Sequence, residues 1–367
     1  MSTYCLLDHP SPDSSMSSPS VEELRARIVH LDSEIDLQKK LLQKLEKDMI
    51  FARRQLNAAL DPVARLPLEI SSEIFLQSLA AGFTGKQGVP TALLNVCSAW
   101  TDIALATPAL WTTVHIDFPC GDGLAEALPI WFGRAWNRPL SITISLRGRC
   151  VSWNHRVSDV LWRHGEQVKH LEIFDDDDFC VRDENDKRID LFGATTPVSL
   201  PLLETLTIRS QHQHRSYRAP QILELVRRAP NIVESTFNMA TVNAFNDGDP
   251  KMVTVPTLRR VTFEDCGHDD ILRYLALPAL ETLSIPLCTI IDDDLLAFLE
   301  RSGASLRDLS LGSKFRDMDS FDEDSFVPYD SDVVAELFAA LGDSSFLPTL
   351  HGLTIHLGEA LPGGPSL

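Results

Sequence analysis

Side chains suited to metal binding or nucleophilic chemistry are few and scattered along this sequence of 367 residues. His212 and His214 form the one close histidine pair, and two histidines without a third ligand nearby do not predict a metal site. Seven cysteines, at positions 5, 97, 120, 150, 180, 266 and 288, include no C-x-x-C spacing. We interpret them as reduced thiols, and Cys97, among apolar neighbours, as a small core residue. We expect no metal and no cofactor.

Two acidic segments, 175–186 and 317–324, have the carboxylates that a Ca²⁺ ion or a basic peptide would need. Neither has the glycine and terminal glutamate of an EF-hand loop. Runs of like charge usually repel one another and remain solvated. We therefore interpret both segments as acidic loops between structural elements.

Sequence motifs and charge narrow the function further. The chain has no glycine-rich phosphate loop, no G-x-S-x-G and no H-E-x-x-H. Its net charge of −19 disfavours nucleic acid and anionic membranes as partners. Residues 1–20 are rich in serine and proline and do not have the order of a signal peptide, which predicts a disordered tail. We expect a non-catalytic protein of the cytoplasm, the nucleus or both.

Residues 21–60 carry a heptad repeat that predicts a coiled-coil helix. Counting Val21 as position a, only Gln38 is polar among the twelve a and d positions. The predicted seam is Val21, Leu24, Ile28, Leu31, Ile35, Leu42, Leu45, Met49 and Leu56. Opposite charges occupy the g and following e positions in Arg27–Asp32, Glu34–Lys39 and Asp48–Arg53.

Two arrangements of this helix are open from the sequence. Isoleucine at a with leucine at d is typical of two parallel helices, which would make the protein a homodimer. Alternatively the helix folds back on the core of its own chain, and Ala52 and Ala59 agree with a weak last part of the seam. The paired charges favour the homodimer. Asp61-Pro62 is expected to end the helix.

Residues 62–111 contain three short motifs in a fixed order. The first runs L-P-L-E-I-S-S-E-I-F from Leu66 to Phe75, with proline suited to a first helical turn and the apolar residues expected on one face. A loop follows, and then the second motif, from Val96 and Cys97 to Trp100, Ile103 and Ala104. Leu110-Trp111 is the third.

The three motifs together resemble an F-box, and in particular the F-box-like proteins abundant in mushroom-forming fungi. The resemblance covers under a sixth of the chain. It implies a three-helix unit that docks on a Skp-type adaptor, which links to a cullin scaffold. Residues implied to bind the adaptor are Leu66, Pro67, Ile70, Ile74, Phe75, Val96, Cys97, Trp100, Leu110 and Trp111. Ser98-Ala99 departs from the family pattern, in which a basic residue often follows the cysteine. The alternative is a helical hairpin that only stabilises the rest of the protein.

Residues 112–367 repeat the phrase apolar-x-x-apolar-x-apolar, with helix-like segments between the copies. The copies are Val168–Leu171–Ile173, Leu203–Leu206–Ile208, Ile232–Ser235–Phe237, Leu258–Val261–Phe263, Leu280–Leu283–Ile285, Leu306–Leu309–Leu311 and Leu350–Leu353–Ile355. Earlier strands are expected at 114–118 and 140–146. Helices are expected at 124–136, 157–164, 222–228, 269–275, 295–301 and 333–341.

Such units predict an irregular leucine-rich-repeat-like α/β solenoid. Leu258 and Leu280 lie 22 residues apart, and Cys266 and Cys288 occupy the last position of the fuller repeat pattern. An ordinary α/β sandwich is the competing fold. A solenoid would offer an extended surface to a client protein.

The fold class predicted is thus mixed α/β, with a coiled-coil helix, an F-box and a repeat domain. The function predicted is the substrate-recognition subunit of a Skp–cullin–F-box ubiquitin ligase, which brings an unidentified client near the ubiquitin carrier. The alternative is a coiled-coil repeat scaffold with no ligase role.

Overall fold

The computed structural model describes residues 20–80, 90–147, 154–175, 188–192, 196, 199–210, 216–238, 241–243, 251–264, 270–285, 294–312, 339, 341 and 348–355. Positions 1–19 of the N-terminal tail, His212, His214, Cys266, Cys288 and nearly all of both acidic segments lie outside these residues, as does most of the helix expected at 333–341. The chain divides into two compact units, Met1–Ala104 and Leu105–Leu367.

The first unit begins with α1, a continuous 40-residue helix at Val21–Leu60. A capping box starts it, since the Ser20 hydroxyl accepts from the Glu23 N–H at 3.2 Å and the Glu23 carboxylate accepts from the Ser20 N–H at 2.9 Å. Asp61 caps its other end, before Pro62. No residue of α1 is buried. The seam side chains are exposed, so the described residues do not show the burial that the fold-back arrangement would give them; near the end of α1, Arg54 donates to the Asn95 side chain at 3.3 Å.

Two further α-helices follow α1 among the described residues: α2 at Leu68–Ala80 and α3 at Ser98–Leu105, the latter ending at the boundary of the first unit. Single-turn or two-turn 3₁₀ segments precede them, at Val63–Arg65 and Pro90–Asn95. The second helix expected from the sequence is therefore split between a 3₁₀ segment and α3. The residues around Trp111 form a third 3₁₀ segment, Pro108–Trp111, in the second unit.

The second unit is built on a parallel sheet of nine strands. The strands among the described residues, in chain order, are β1 Thr113–Phe118, β2 Leu140–Leu146, β3 Val168–Asp175, β4 Arg188–Ile189, β5 Thr205–Ser210, β6 Ser216–Arg218, β7 Glu234–Asn238, β8 Thr241–Asn243, β9 Val253–Thr254, β10 Arg260–Glu264, β11 Leu275–Ala276, β12 Thr282–Ile285, β13 Asp308–Leu311 and β14 Gly352–Ile355. The large sheet has the order β1-β2-β3-β5-β7-β10-β12-β13-β14, which follows the chain. The other strands form two small sheets, β4-β6-β8 and β9-β11, and they alternate along the chain with strands of the large sheet.

Each repeated phrase predicted from the sequence contributes one strand to the large sheet, and the copies align in register. Leu171, Leu206, Ser235, Val261 and Leu283 are successive neighbours across the strands. The alternate positions on these strands are only partly covered. One face of the sheet is therefore the core, and the other face is accessible.

In the part of this unit that the structure describes, four α-helices connect strands and supply apolar side chains to the core. They are α4 Asp122–Arg134, α5 His155–Arg163, α6 Ala219–Arg227 and α7 Asp294–Ser302. Their buried residues recur every three or four positions, as in Leu295, Phe298 and Leu299. The helix expected at 269–275 is a 3₁₀ segment, Asp270–Tyr274. A mixed α/β fold with a long N-terminal helix and a nine-stranded parallel sheet is confirmed.

No helix in the described part of the chain is both long enough and apolar enough to span a membrane.

Candidate functional site

The residues expected to bind an adaptor separate into an exposed group and a buried group. Leu66, Ile70, Ile74 and Val96 are between 37% and 51% exposed, and Pro67 is exposed as well. We call Leu66, Ile70, Ile74 and Val96 the apolar surface. Large apolar side chains left this accessible on a small helical unit are typical of a contact surface for another protein.

Phe75 belongs to the buried group, which corrects the expectation that it shares a face with Ile70 and Ile74. Its ring is 1% exposed and packs against Trp100 with centroids 4.8 Å apart. Ile70 and Ile74 lie four residues apart on one stripe of α2, whereas Phe75 lies one residue, or about 100°, further round the helix than Ile74. Leu66 lies just before this helix. Phe75 therefore supports the apolar surface from within.

Cys97 is fully buried, which confirms its assignment as a core residue. Trp100 is half-buried, and its indole N–H donates to the Asp61 carboxylate at the end of α1. The second Asp61 oxygen accepts from the Val63 N–H at 2.8 Å. The Ser71 hydroxyl, itself buried, donates to the Val63 carbonyl at 3.0 Å. These bonds hold the start of α2 and the Trp100 side of α3 to the end of α1.

Leu110 and Trp111 are buried in the second unit. The Trp111 ring meets Trp131 edge-on at 5.0 Å, and the Arg134 guanidinium lies 4.5 Å above it. The Trp131 indole N–H donates to the Trp111 carbonyl at 2.9 Å. Leu110 and Trp111 thus have a packing role at the start of the nine-stranded sheet.

The accessible face of the large sheet carries a second candidate surface, which was not predicted residue by residue from the sequence. Nine positions lie side by side across its middle, one from each strand, and seven of them are threonine or serine. This hydroxyl row consists, in strand order, of His115, Thr143, Glu172, Thr207, Thr236, Thr262, Ser284, Ser310 and Thr354. Its signal in the sequence is the polar residue between the last two apolar positions of each phrase.

Charged side chains in and near the hydroxyl row form ion pairs between neighbouring strands or between the residues that precede them. Arg260 contacts Glu234 at 2.8 Å and Arg259 contacts Glu281 at 3.2 Å. Arg209 forms an ion pair with Glu172 and lies 4.9 Å above the Phe174 ring. Such half-exposed pairs contribute about 0–1 kcal/mol each to stability. They leave a surface of hydroxyls and matched charges, which suits hydrogen bonding to a protein.

His115, Ser145 and Asp117 come together at one end of the hydroxyl row, and these residue types invite comparison with a catalytic triad. The Ser145 hydroxyl lies 3.2 Å and the Asp117 carboxylate 3.0 Å from the histidine, but both contacts use its Nε2 atom. A triad needs the carboxylate on one ring nitrogen and the serine on the other. Ser145 is also buried. This cluster therefore cannot activate the serine by the triad mechanism.

Asn154 joins the starts of α4 and α5. Its side-chain oxygen accepts from the Arg156 N–H at 3.0 Å, while its amide donates to Asp122 at 3.0 Å. The hydrogen bonds from Asn154 and Arg156, with the charge of Arg156, lower the pKa of the Asp122 carboxyl. Burial raises the pKa of the nearby Cys120 thiol, which keeps it protonated rather than nucleophilic.

Among the described residues, no group of three or more histidine, cysteine, aspartate or glutamate side chains is placed to hold a metal ion. No protein-family model and no curated protein sequence matches this chain.

Proposed function

We propose that this protein is the substrate-recognition subunit of a Skp–cullin–F-box type of ubiquitin ligase. In this proposal the first unit binds a Skp-type adaptor and the repeat strands of the second unit form a leucine-rich-repeat-like array that holds a client protein. The protein contributes proximity, since it raises the local concentration of client lysines near the ubiquitin carrier and no residue of its own does chemistry.

The observation that carries the proposal is the apolar surface. Ile70 and Ile74 on one stripe of α2, and Leu66 just before this helix, remain 41–51% exposed, while Phe75 and Cys97 fill the interior. The first unit therefore has a packed interior and still presents the side chains of the apolar surface to solvent. Burial of four such side chains against a partner would contribute several kcal/mol to binding, at about 25 cal/mol per Å².

The client surface proposed is the hydroxyl row with its flanking ion pairs. It extends over nine strands in register, so a partner can be contacted at many points along it. Hydroxyls donate and accept, and the paired charges favour a protein partner with its own polar groups over a strongly charged polymer.

Co-purification with a Skp-type adaptor tests the adaptor contact. The full chain is co-expressed with the adaptor beside the double variant Leu66→Asp/Ile70→Asp, and retention is measured on the tagged chain. We expect the native chain to retain the adaptor and the variant to lose it, because two carboxylates would be desolvated in the contact.

Leu37→Asp is the matched control. Leu37 is 67% exposed on α1, outside both the apolar surface and the predicted seam, so the same change there should leave adaptor retention intact. A folded native chain that retains no adaptor would leave the coiled-coil repeat scaffold as the better account.

A further inference from the structure

The seam of α1 is not covered by any part of the chain that the structure describes. Its nine apolar side chains, Val21, Leu24, Ile28, Leu31, Ile35, Leu42, Leu45, Met49 and Leu56, are between 44% and 65% exposed. Helices in proteins gain most of their stability from packing an apolar face against another element. The continuous helix therefore needs an occupant for that face.

We propose that the occupant is a second copy of this chain, with the two α1 helices parallel and in register. This proposal does not depend on adaptor binding. It identifies both the partner and its alignment from the residues that border the seam.

Charge complementarity supports the parallel alignment. In register, the g position of one helix meets the following e position of the other, which pairs Arg27 with Asp32, Glu34 with Lys39 and Asp48 with Arg53. Because the two helices are identical, each of these pairs forms twice in the dimer. These six contacts are between opposite charges, and only the remaining g-to-e pair, Leu41 with Glu46, breaks the rule.

An antiparallel pair with full overlap reverses this result. Its e positions would face one another, placing Arg25 against Arg53, Asp32 against Glu46 and Lys39 against Lys39 of the other copy. Its g positions would place Glu34 against Asp48. Like charges at this spacing destabilise the pair.

Gln38 excludes the remaining antiparallel alignments. A shift by one heptad in either direction restores opposite charges, but it sets Gln38 against Ile35 or Met49 and uncovers seven residues of each helix. A buried amide opposite an apolar side chain loses its hydrogen bonds. Only in the parallel register does Gln38 meet Gln38 of the other copy, where each amide can donate to the other's carbonyl oxygen.

A charge exchange in the full-length chain tests both the partner and the alignment. Sedimentation equilibrium is measured for the native chain, for Glu34→Lys and for Glu34→Lys/Lys39→Glu, with helix content checked by circular dichroism. In the parallel dimer the single variant turns two attractive contacts into two repulsive ones. We expect the dissociation constant to rise about tenfold.

The double variant separates the alignments. In the parallel dimer the exchanged side chains at positions 34 and 39 again carry opposite charges and face one another, so the native dissociation constant is restored to within about twofold. In the shifted antiparallel pairs Glu34 faces Leu41 or Gln55, so the single variant has little effect. The double variant is weakened in those pairs, because the new carboxylate at position 39 repels Asp32 or Glu46.

Asp36→Lys is the matched control, because it makes the same charge change at an outward position of α1 and should leave the dissociation constant unchanged. A native chain that is monomeric at micromolar concentration, or that forms a trimer, would overturn the proposal. Weakening by the double variant but not by Glu34→Lys would overturn the parallel alignment.

Discussion

Trp136 occupies a backbone conformation that seldom suits a bulky residue. It follows α4 with a φ of 55°, and its side chain is 70% exposed. Its N–H donates to the Gly133 carbonyl at 3.2 Å. Trp136 thus occupies the position just after a helix where glycine is usually found. The ring gains little burial in exchange for the left-handed backbone.

We expect Trp136→Gly to increase the free energy of unfolding by about 0.5–1 kcal/mol. Relief of the left-handed backbone is worth about 1–2 kcal/mol, and the greater freedom of glycine in the unfolded chain offsets part of it. Urea unfolding followed by circular dichroism measures the change. Trp136→Ala keeps the backbone penalty, so equal stabilisation by alanine and glycine would contradict this explanation.

Ser235 interrupts an otherwise apolar row of the sheet core. It is 1% exposed between Leu206 and Val261, and its hydroxyl has no hydrogen-bond partner among the described residues. We expect Ser235→Ala to stabilise the protein by about 1 kcal/mol, because a buried hydroxyl without a partner is costly.

Ser145 supplies the control for that prediction. It is equally buried, but its hydroxyl lies 3.2 Å from the His115 Nε2. Ser145→Ala should therefore lower the melting temperature, whereas Ser235→Ala should raise it, when thermal unfolding of both variants is followed by circular dichroism. If both substitutions changed the melting temperature in the same direction, hydrogen bonding would not be the deciding factor.

Among elements, Asp61 links the end of α1 to the helices that follow. Its two carboxylate oxygens accept from the Val63 N–H and the Trp100 indole N–H. We expect Asp61→Ala to lower the free energy of unfolding of the first unit by about 1–3 kcal/mol, since charge-assisted hydrogen bonds are lost. Chemical denaturation gives the size of the effect.

The Trp100 indole N–H resonance reports the cause. It should move toward the position of a solvent-exposed indole in Asp61→Ala, and less so in Asp61→Asn, which keeps one oxygen acceptor. An unmoved resonance in both variants would assign any destabilisation to the helix end instead.

The sequence was a good guide to elements with a strong period. The repeated phrase and the two earlier apolar segments predicted every strand of the large sheet, because each buries one face in the same way. The heptad predicted α1, and Asp61-Pro62 marked its end. The strands of the two small sheets were missed because segments of two or three residues, such as Val253–Thr254, show no periodicity.

The candidate sites were less accessible to sequence reasoning. Apolar residue type marked Ile70 and Phe75 alike as contacts, and only their positions around α2 separate the exposed side chain from the buried one. The hydroxyl row required the register between strands, which links Thr207, Thr236 and Thr262 although 29 and 26 residues separate them. Neither property is local in sequence.

For the whole molecule, burial varies along the sheet. At one edge Val114, Ile116 and Phe118 of β1 are at most 3% exposed. At the other edge Leu353 and Ile355 of β14 are 44% and 39% exposed, although they align with buried residues of β13. The apolar positions of the repeat are therefore buried at one edge of the sheet and exposed at the other, so they contribute differently to stability.

We expect Leu309→Ala to destabilise the second unit by about 2–4 kcal/mol, because it opens a cavity in a full core. Leu353→Ala, at the neighbouring position in register, should cost less than about 1 kcal/mol. Urea denaturation of both variants measures the difference. Equal losses would show that Leu353 is as important to the core as Leu309.

The order of the large sheet also determines how the protein would respond to mechanical force. Because the strands follow the chain order, a pull on the carboxyl end loads the hydrogen bonds between β13 and β14 before any others. The strands then detach one at a time, starting with β14, and do not all slide past one another at once. With 22 residues between Leu258 and Leu280, one such step releases about 75 Å of chain. A sustained pull would thus extend this sheet in small, separate steps.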